Sequence, residues 1–262
     1  MTQMPNILVT VKQVVDVDSL KIDRATNTIT TVGVPRKMND FDKNALEEAI
    51  RIREKQGGKV VAVSVGQQSS RDVLKEALAM GADEAYLITD QSIPEFDSRA
   101  VSHLISKFYT KFGPFDLVIM GEGSVDHFSV QVGPRVAELL KLPQLTYTRR
   151  LEYSGDSVVA ERDLEDGFHV VRSPLPCVVT VAQEINQPRL PTLKSILAAS
   201  KKPINLVPPS QLEINADMLQ PVVTTKTVVP PKTERKKVVI DGSKPEEAVQ
   251  TLIKHLTQEG VI

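Results

Sequence analysis

Three observations predict an α/β fold built on a parallel sheet. Short branched runs at residues 7–11, 59–65, 84–88 and 117–120 lack the alternation of a half-exposed strand. Amphipathic segments separate them in turn, as parallel strands require, because each connection must cross back over the sheet. The run Leu117-Val118-Ile119-Met120 then stops abruptly in Gly121-Glu122-Gly123-Ser124, the form of a buried strand entering a tight turn before a helix. The predicted architecture is a parallel Rossmann-like sheet flanked by helices. Antiparallel strands and an extended C-terminal arm are added to it.

The elements follow in order. After the first strand, Lys21-Ile22-Asp23 and Thr28-Ile29-Thr30 flank Arg24-Ala25-Thr26-Asn27 as a small rim hairpin. Asn39 or Asp40 is placed to cap a helix whose apolar side is Ala45, Leu46, Ala49, Ile50 and Ile52, and Gly57-Gly58 ends it. Ser69 or Ser70 is placed to cap the next, which carries Val73, Leu74, Ala77 and Leu78 and stops at Gly81. A third helix spans 98–112. After Pro143 the rhythm changes: segments 146–148, 158–160, 168–171 and 177–181 are separated only by turns and are expected to be antiparallel. A proline-stiffened loop at 186–193 leads into a helix over 194–200.

Residues 1–203 are therefore expected to form the nucleotide-binding domain with its antiparallel extension. From Pro203 onward no core is expected. Prolines break the chain repeatedly, and a final helix at 245–256 carries Ala248, Val249, Leu252, Ile253 and Leu256 on one face. That face needs an apolar surface, on its own domain or on another subunit. Residues 204–262 are expected to be an arm that packs back on its own domain or contacts a partner subunit.

Composition narrows the function. A hydrophobic content of 41% in 262 residues supports a real core, and the formal net charge of -1 points to neither nucleic acid nor an anionic membrane. A single cysteine, Cys177, excludes an internal disulfide framework and suits a reducing compartment, so a cytoplasmic location is expected. No signal peptide and no run long enough to span a bilayer is read in the sequence. Without tryptophan, no flavin or base can stack on one from this chain.

Catalytic signatures are missing. The four histidines have no metal-ligand spacing, there is no G-x-S-x-G elbow, and Cys177 sits inside an apolar strand as a buried hydrophobe. The turn after the fourth strand remains, and open α/β sheets bind ligands at such carboxyl ends. Its glycines admit close backbone approach, and free N–H groups with Ser124 and Ser129 suit an anion such as phosphate. It lacks G-x-G-x-x-G and a Walker lysine, so an ordinary strand–helix connection competes with the nucleotide reading. Asp126 reads first as a helix cap and second as a ligand to a ribose hydroxyl or an amine. Glu122 and Asp126 would repel a phosphate unless a cation intervened. The chain reads as a holder or carrier.

Several blocks resemble one family. They are Val9-Thr10-Val11-Lys12-Gln13-Val14, the stretch Met38-Asn39-Asp40-Phe41-Asp42-Lys43-Asn44-Ala45, and Ala77-Leu78-Ala79-Met80-Gly81-Ala82-Asp83. Most specific is Arg162-Asp163-Leu164-Glu165-Asp166-Gly167, followed through Pro174 and Pro176 by Val178-Val179-Thr180. In this order, over nearly the whole chain, they resemble the beta subunit of electron transfer flavoprotein.

The resemblance implies a heterodimer in which an alpha subunit holds the redox FAD and this chain is a static base. Electrons would pass from dehydrogenases, such as acyl-CoA dehydrogenases, to a quinone-linked acceptor oxidoreductase. It implies a nucleotide in this chain, AMP or, in electron-bifurcating members, a second FAD. The residues implied are Thr10, Asn39, Asp40, Phe41, Asp42, Val65 and the turn Gly121-Glu122-Gly123-Ser124-Val125-Asp126-His127-Phe128-Ser129-Val130-Gln131-Val132. It also marks Pro188-Arg189-Leu190-Pro191-Thr192-Leu193 as the partner-recognition loop, with Leu193 as anchor. His127 and Phe128 depart from the family's turn. Gln131-Val132-Gly133-Pro134 resembles bifurcating members, whereas bulky Phe128 takes space that a second flavin would need. AMP is favoured and both stay open. The competing functions are a nucleotide-sensing module of universal-stress type and a nucleotide-dependent ligase or pyrophosphatase.

Overall fold

A computed structural model describes residues 4–23, 26–90, 97–223, 228–230 and 236–262. They fall into two compact units, one within residues 1–21 and 30–227, the other within 22–29 and 228–262. Met1, Thr2 and Gln3, Arg24 and Ala25 of the expected hairpin turn, Pro231 and the basic stretch from Lys232 to Arg235 lie outside the described residues.

The chain runs through β1 (Asn6–Thr10), β2 (Gln13–Val15), β3 (Lys21–Asp23), β4 (Thr28–Thr30), β5 (Arg36–Met38) and α1 (Asp40–Gln56). Next come β6 (Lys59–Val65), α2 (Arg71–Met80), β7 (Glu84–Ile88), α3 (Ser98–Phe112), β8 (Leu117–Gly121) and α4 (Val132–Leu140). Then follow β9 (Gln144–Tyr153), β10 (Ser157–Leu164), β11 (Gly167–Pro174), β12 (Cys177–Val181), α5 (Leu193–Ser200), β13 (Asn205–Val207), α6 (Ala216–Leu219) and α7 (Pro245–Gln258). No helix among the described residues is long and apolar enough to cross a membrane.

Nine strands form one sheet in the order β11-β10-β9-β12-β8-β1-β6-β7-β13. β1 lies parallel to both β6 and β8, so the sheet is α/β as expected. From β1 the chain steps outward through β6 and β7, then returns to lay β8 on the other side of β1. Between β1 and β8 the strand order therefore reverses, and a crevice opens at their carboxyl ends.

Apolar residues on alternate sides of each strand divide the core. Ile7 and Val9 pack with α1, α2 and α5, while Leu8 packs with α3, α4 and α6. In α1 the pairs Ala45/Ala49 and Leu46/Ile50, each one turn apart, are fully buried. Burial of each large aliphatic side chain is worth roughly 1.5–3 kcal/mol, enough to hold α1 rigidly on the sheet.

Two expectations are corrected. Segment 177–181 is not antiparallel: β12 runs parallel to β8 on one side and to β9 on the other. All five of its residues are buried, as an interior parallel strand demands, and its unbroken apolar run was the signal. Only β9, β10 and β11 form the antiparallel extension. Second, core does build after Pro203. β13 pairs with β7, and Val207, Leu212 and Leu219 are buried in the α3/α4 layer. These are single apolar residues without a period, which is why patterning does not reveal them.

Candidate functional site

The crevice between β1 and β8 collects most of the predicted residues. Thr10 ends β1, Val65 ends β6 and Gly121 ends β8, all on the carboxyl edge of the sheet. The first turn of α1 brings Asp40, Phe41 and Asp42 beneath the turn that follows β8. Asn39 precedes α1 but makes no side-chain cap to it. Its amide crosses instead to the glycine turn: Nδ2 donates to the Gly123 carbonyl at 2.8 Å, and Oδ1 accepts from the Val125 N–H at 3.1 Å. Asn39 is 1% exposed, so both bonds are sheltered from water. The capping role expected of Asn39 is thus replaced by a brace between β8's turn and α1. Asp40 makes an ion pair with Lys37 at 3.0 Å.

Asp42 sits beneath this brace and is buried. Its Oδ2 accepts the Lys12 backbone N–H at 2.8 Å, and the Gly121 N–H also donates to its carboxylate. Burial nonetheless pushes this carboxyl up from 3.8 to about 7, against the lowering effect of those donors. Gly121 is required here by space: a Cβ would lie 2.4 Å from Asp42 Oδ1 and 2.7 Å from Phe41 Cβ.

The turn itself is long. α4 begins only at Val132, after Gln131, so Asp126 caps no helix. Asp126 instead accepts from Lys12 Nζ at 2.7 Å, and the same ammonium reaches Ser124 Oγ at 3.1 Å. Burial would raise the Asp126 carboxyl, but the bonds from Lys12 and Ser124 hold it below its ordinary value. Lys12 is the cation that a phosphate beside two carboxylates would need. Glu122 Oε2 is buried without a hydrogen-bond partner among the described residues. Burial, with the charges of Glu184 and Asp163, raises its carboxyl and so favours the neutral form.

Beyond Asp126, His127, Phe128 and Ser129 are exposed. The Phe128 ring lies 5.6 Å from that of Phe41, and a Cβ on Gly123 would meet it at 3.0 Å. Phe128 and Val130 adopt left-handed backbone, with φ of 44° and 53°. For a branched residue such as Val130 this costs on the order of 1–3 kcal/mol, the kind of strain that collects at ligand clamps. Among the described residues, the backbone N–H groups of Gly123, Ser124, Ser129 and Val130 donate to no group of the chain. Gln131 is fixed by Ser98 and Arg135, both of which donate to its Oε1.

The residues 188–193 lie elsewhere, along the flank of α1. Arg189 is paired with Glu47 and Glu54 of that helix, while Leu190 and Leu193 are 89% and 74% exposed. Pro191 lines a cavity of about 270 Å³ between α2 and α5, with Ala79, Ile196 and Ala199. A second cavity, of about 240 Å³, is lined by Asn6, Lys59 and Phe115 at the opposite end of the strands. Neither lies at the crevice, which is an open edge shaped by backbone.

Comparison with known proteins now decides the family. The electron transfer flavoprotein domain matches residues 26–212. The electron transfer flavoprotein subunit beta of Thermoanaerobacterium thermosaccharolyticum is 43% identical over 98% of this chain and all of its own length. The chain belongs to the electron transfer flavoprotein beta-subunit family. Similar proteins also include subunit CarD of the caffeyl-CoA reductase-Etf complex of Acetobacterium woodii, 37% identical over 76% of this chain and 77% of its own. Protein FixA of Sinorhizobium fredii is 34% identical over 96% of this chain and 92% of its own.

In this beta subunit the sequence reading overlooked Lys12, whose signal was its place two residues past the first strand. It also overlooked Glu47, which meets the loop at 186–193 only because the fold brings residues 142 positions apart into contact.

Proposed function

We propose that this beta subunit is the static half of a heterodimer with an electron transfer flavoprotein alpha subunit. The complex carries electrons from dehydrogenases, such as acyl-CoA dehydrogenases, to a quinone-linked acceptor oxidoreductase. The observation that supports it most is the braced turn at the β1–β8 crevice, with unpaired N–H groups and Lys12 beside Ser124. This set fits a phosphate-bearing adenine nucleotide: N–H groups and an ammonium for the anion, and the Phe41/Phe128 pair as an apolar wall. Ser124, Ser129 and the backbone of 121–132 would hold the nucleotide, while Thr10 and Val65 would border it. Asn39 and Asp42 shape the site through the turn.

We take the bound nucleotide to be AMP, because Phe128 folds over Gly123 and narrows the crevice. AMP supplies no redox chemistry, and the FAD that exchanges electrons belongs to the alpha subunit. The competing reading, a second FAD in an electron-bifurcating complex, is favoured by the likeness to a subunit of the caffeyl-CoA reductase-Etf complex. No catalytic residue is assigned to this chain; its residues bind, position and dock.

The partner contact is assigned to residues 204–262, where α7 presents Val249, Leu252 and Ile253. Docking of the dehydrogenase is assigned to Leu193 and its loop. We place the complex in the cytoplasm, a reducing compartment that suits the buried thiol of Cys177, which burial raises to about 11. Co-expression with the alpha subunit tests the reading. A yellow complex with one beta subunit per FAD-bearing partner is expected, and a colourless chain that binds no partner would point to a sensor module.

A further inference from the structure

Helix α1 serves both ends of the molecule's surface chemistry. Its first turn floors the crevice, and its next three turns grip the loop that carries Leu190 and Leu193. Glu47 is 2% exposed although it is a carboxylate, and it is never alone. Arg189 Nε donates to its Oε2 at 2.8 Å, Nη2 to its Oε1 at 3.2 Å, and the Arg189 backbone N–H to Oε2 at 3.1 Å. The outer side of the same guanidinium donates to Glu54, Nη1 to Oε1 at 2.6 Å and Nη2 to Oε2 at 2.9 Å. One arginine is thus forked between two carboxylates about 10.5 Å of helix rise apart, about two turns along one face.

Two further ties fix the same loop. Arg51 donates from Nε to Glu47 Oε1 at 2.7 Å and from Nη2 to the Gln187 carbonyl at 3.1 Å. A turn earlier, Asn44 Nδ2 donates to the Asn186 carbonyl at 2.7 Å, and Asn186 Nδ2 returns a bond to the Asn44 carbonyl at 3.0 Å. The loop is therefore held at residues 186, 187 and 189. Past the last tie Leu190 stands exposed, and Leu193, also exposed, opens α5.

A buried ion pair contributes little net stability compared with apolar packing, because desolvation offsets the attraction. What a forked, charge-assisted pair does supply is a single geometry. We propose that Glu47 and Arg189 are positioning residues for partner docking: they lock the loop 186–193 onto α1, so that Leu190 and Leu193 are presented in one preformed arrangement. The inference rests on reading that loop as the docking element. A loop released from α1 would have to be ordered at each encounter, which weakens docking without touching electron transfer inside the docked complex.

The test uses the FAD-loaded heterodimer as electron acceptor for a purified acyl-CoA dehydrogenase, with KM and kcat read against heterodimer concentration. Glu47→Gln keeps the side chain's shape and removes its charge; Arg189→Lys keeps the charge and removes the fork. Each is expected to raise KM about five- to tenfold, with kcat within about twofold and flavin and nucleotide content unchanged. Leu193→Ala is the reference. If the lock acts through the exposed leucines, Glu47→Gln combined with Leu193→Ala raises KM by clearly less than the product of the two single effects. A full product overturns the inference, because Glu47 then acts elsewhere.

A raised KM for Leu193→Ala with normal KM for both lock variants also overturns it, and leaves the docking reading standing. A normal KM for Leu193→Ala removes the docking reading and the inference together. Should Glu47→Gln lower the melting temperature by several degrees, Arg189→Lys decides alone, since it leaves both carboxylates in place.

Discussion

Replacing Asn39 by alanine should uncouple the turn after β8 from α1. The side chain makes two part-buried bonds, to the Gly123 carbonyl and from the Val125 N–H, and alanine makes neither. Each backbone group left without a partner costs about 1–3 kcal/mol if water cannot reach it. Two such groups give roughly 2–6 kcal/mol, reduced where the turn relaxes toward solvent. For a domain of this size 1 kcal/mol shifts the melting temperature by about 2–4 °C, so a loss between about 4 °C and about 24 °C is expected, toward the lower end where the turn relaxes. Asn39→Asp keeps the acceptor for Val125 but loses the donor to Gly123, and should fall between the two. The assay is a melt of the purified heterodimer with parallel chromatography of the nucleotide it retains. Melting and retention should fall together for Asn39→Ala. Wild-type melting with full nucleotide content would refute the idea that this brace builds the site.

Other substitutions probe other links. Gly121→Ala should destabilise by about 1–3 kcal/mol or more, because its new Cβ meets the hydrogen-bonded Asp42 carboxylate and the Phe41 Cβ and backbone of α1, none of which can readily move away; a melt checks it, and wild-type stability contradicts the packing. Leu193→Ala should leave melting and flavin content near wild type, since the side chain is exposed, yet weaken docking by roughly 1.5–3 kcal/mol, tenfold to a hundredfold. Stopped-flow reduction by the dehydrogenase measures it, and lost stability with normal transfer would make Leu193 a core residue. Asp42→Asn tests the raised carboxyl. Between pH 3.8 and about 7 the folded state holds a proton there that the unfolded state has released, so stability falls as pH rises through that window. The full effect is on the order of 4 kcal/mol. Melts from pH 5 to 8 should therefore slope downward for wild type relative to Asp42→Asn, and parallel profiles would contradict the assignment.

The crossovers of the sheet were legible because their signal is local. Branched runs at β1, β6, β7 and β8 alternate with amphipathic helices, and each boundary carries a glycine, a cap or a proline. β12 was misplaced because a neighbour in sequence is not a neighbour in the sheet. Its three short predecessors share turns, but pairing with β8 depends on burial from both faces. The crevice was legible in outline from Gly121 and Gly123. Its wiring was not. Asn39 stands where a helix cap stands, and only the arrival of β8's turn, 84 residues later, gives its amide better partners than the helix. Asp126 looked like a cap because helix α4 was expected to start at once; the strained stretch at Phe128 and Val130 delays it. Lys12 and Glu47 escaped for the same reason: a charged side chain declares its partner only when the fold delivers one.

The central claim is that the β1–β8 crevice holds an adenine nucleotide that is not the redox flavin. Denaturing the purified heterodimer and separating its released nucleotides by chromatography tests it directly. The account predicts one AMP and one FAD per heterodimer, with the AMP lost in Asn39→Ala and the FAD retained. Two FAD and no AMP would contradict it and assign the crevice to a second flavin.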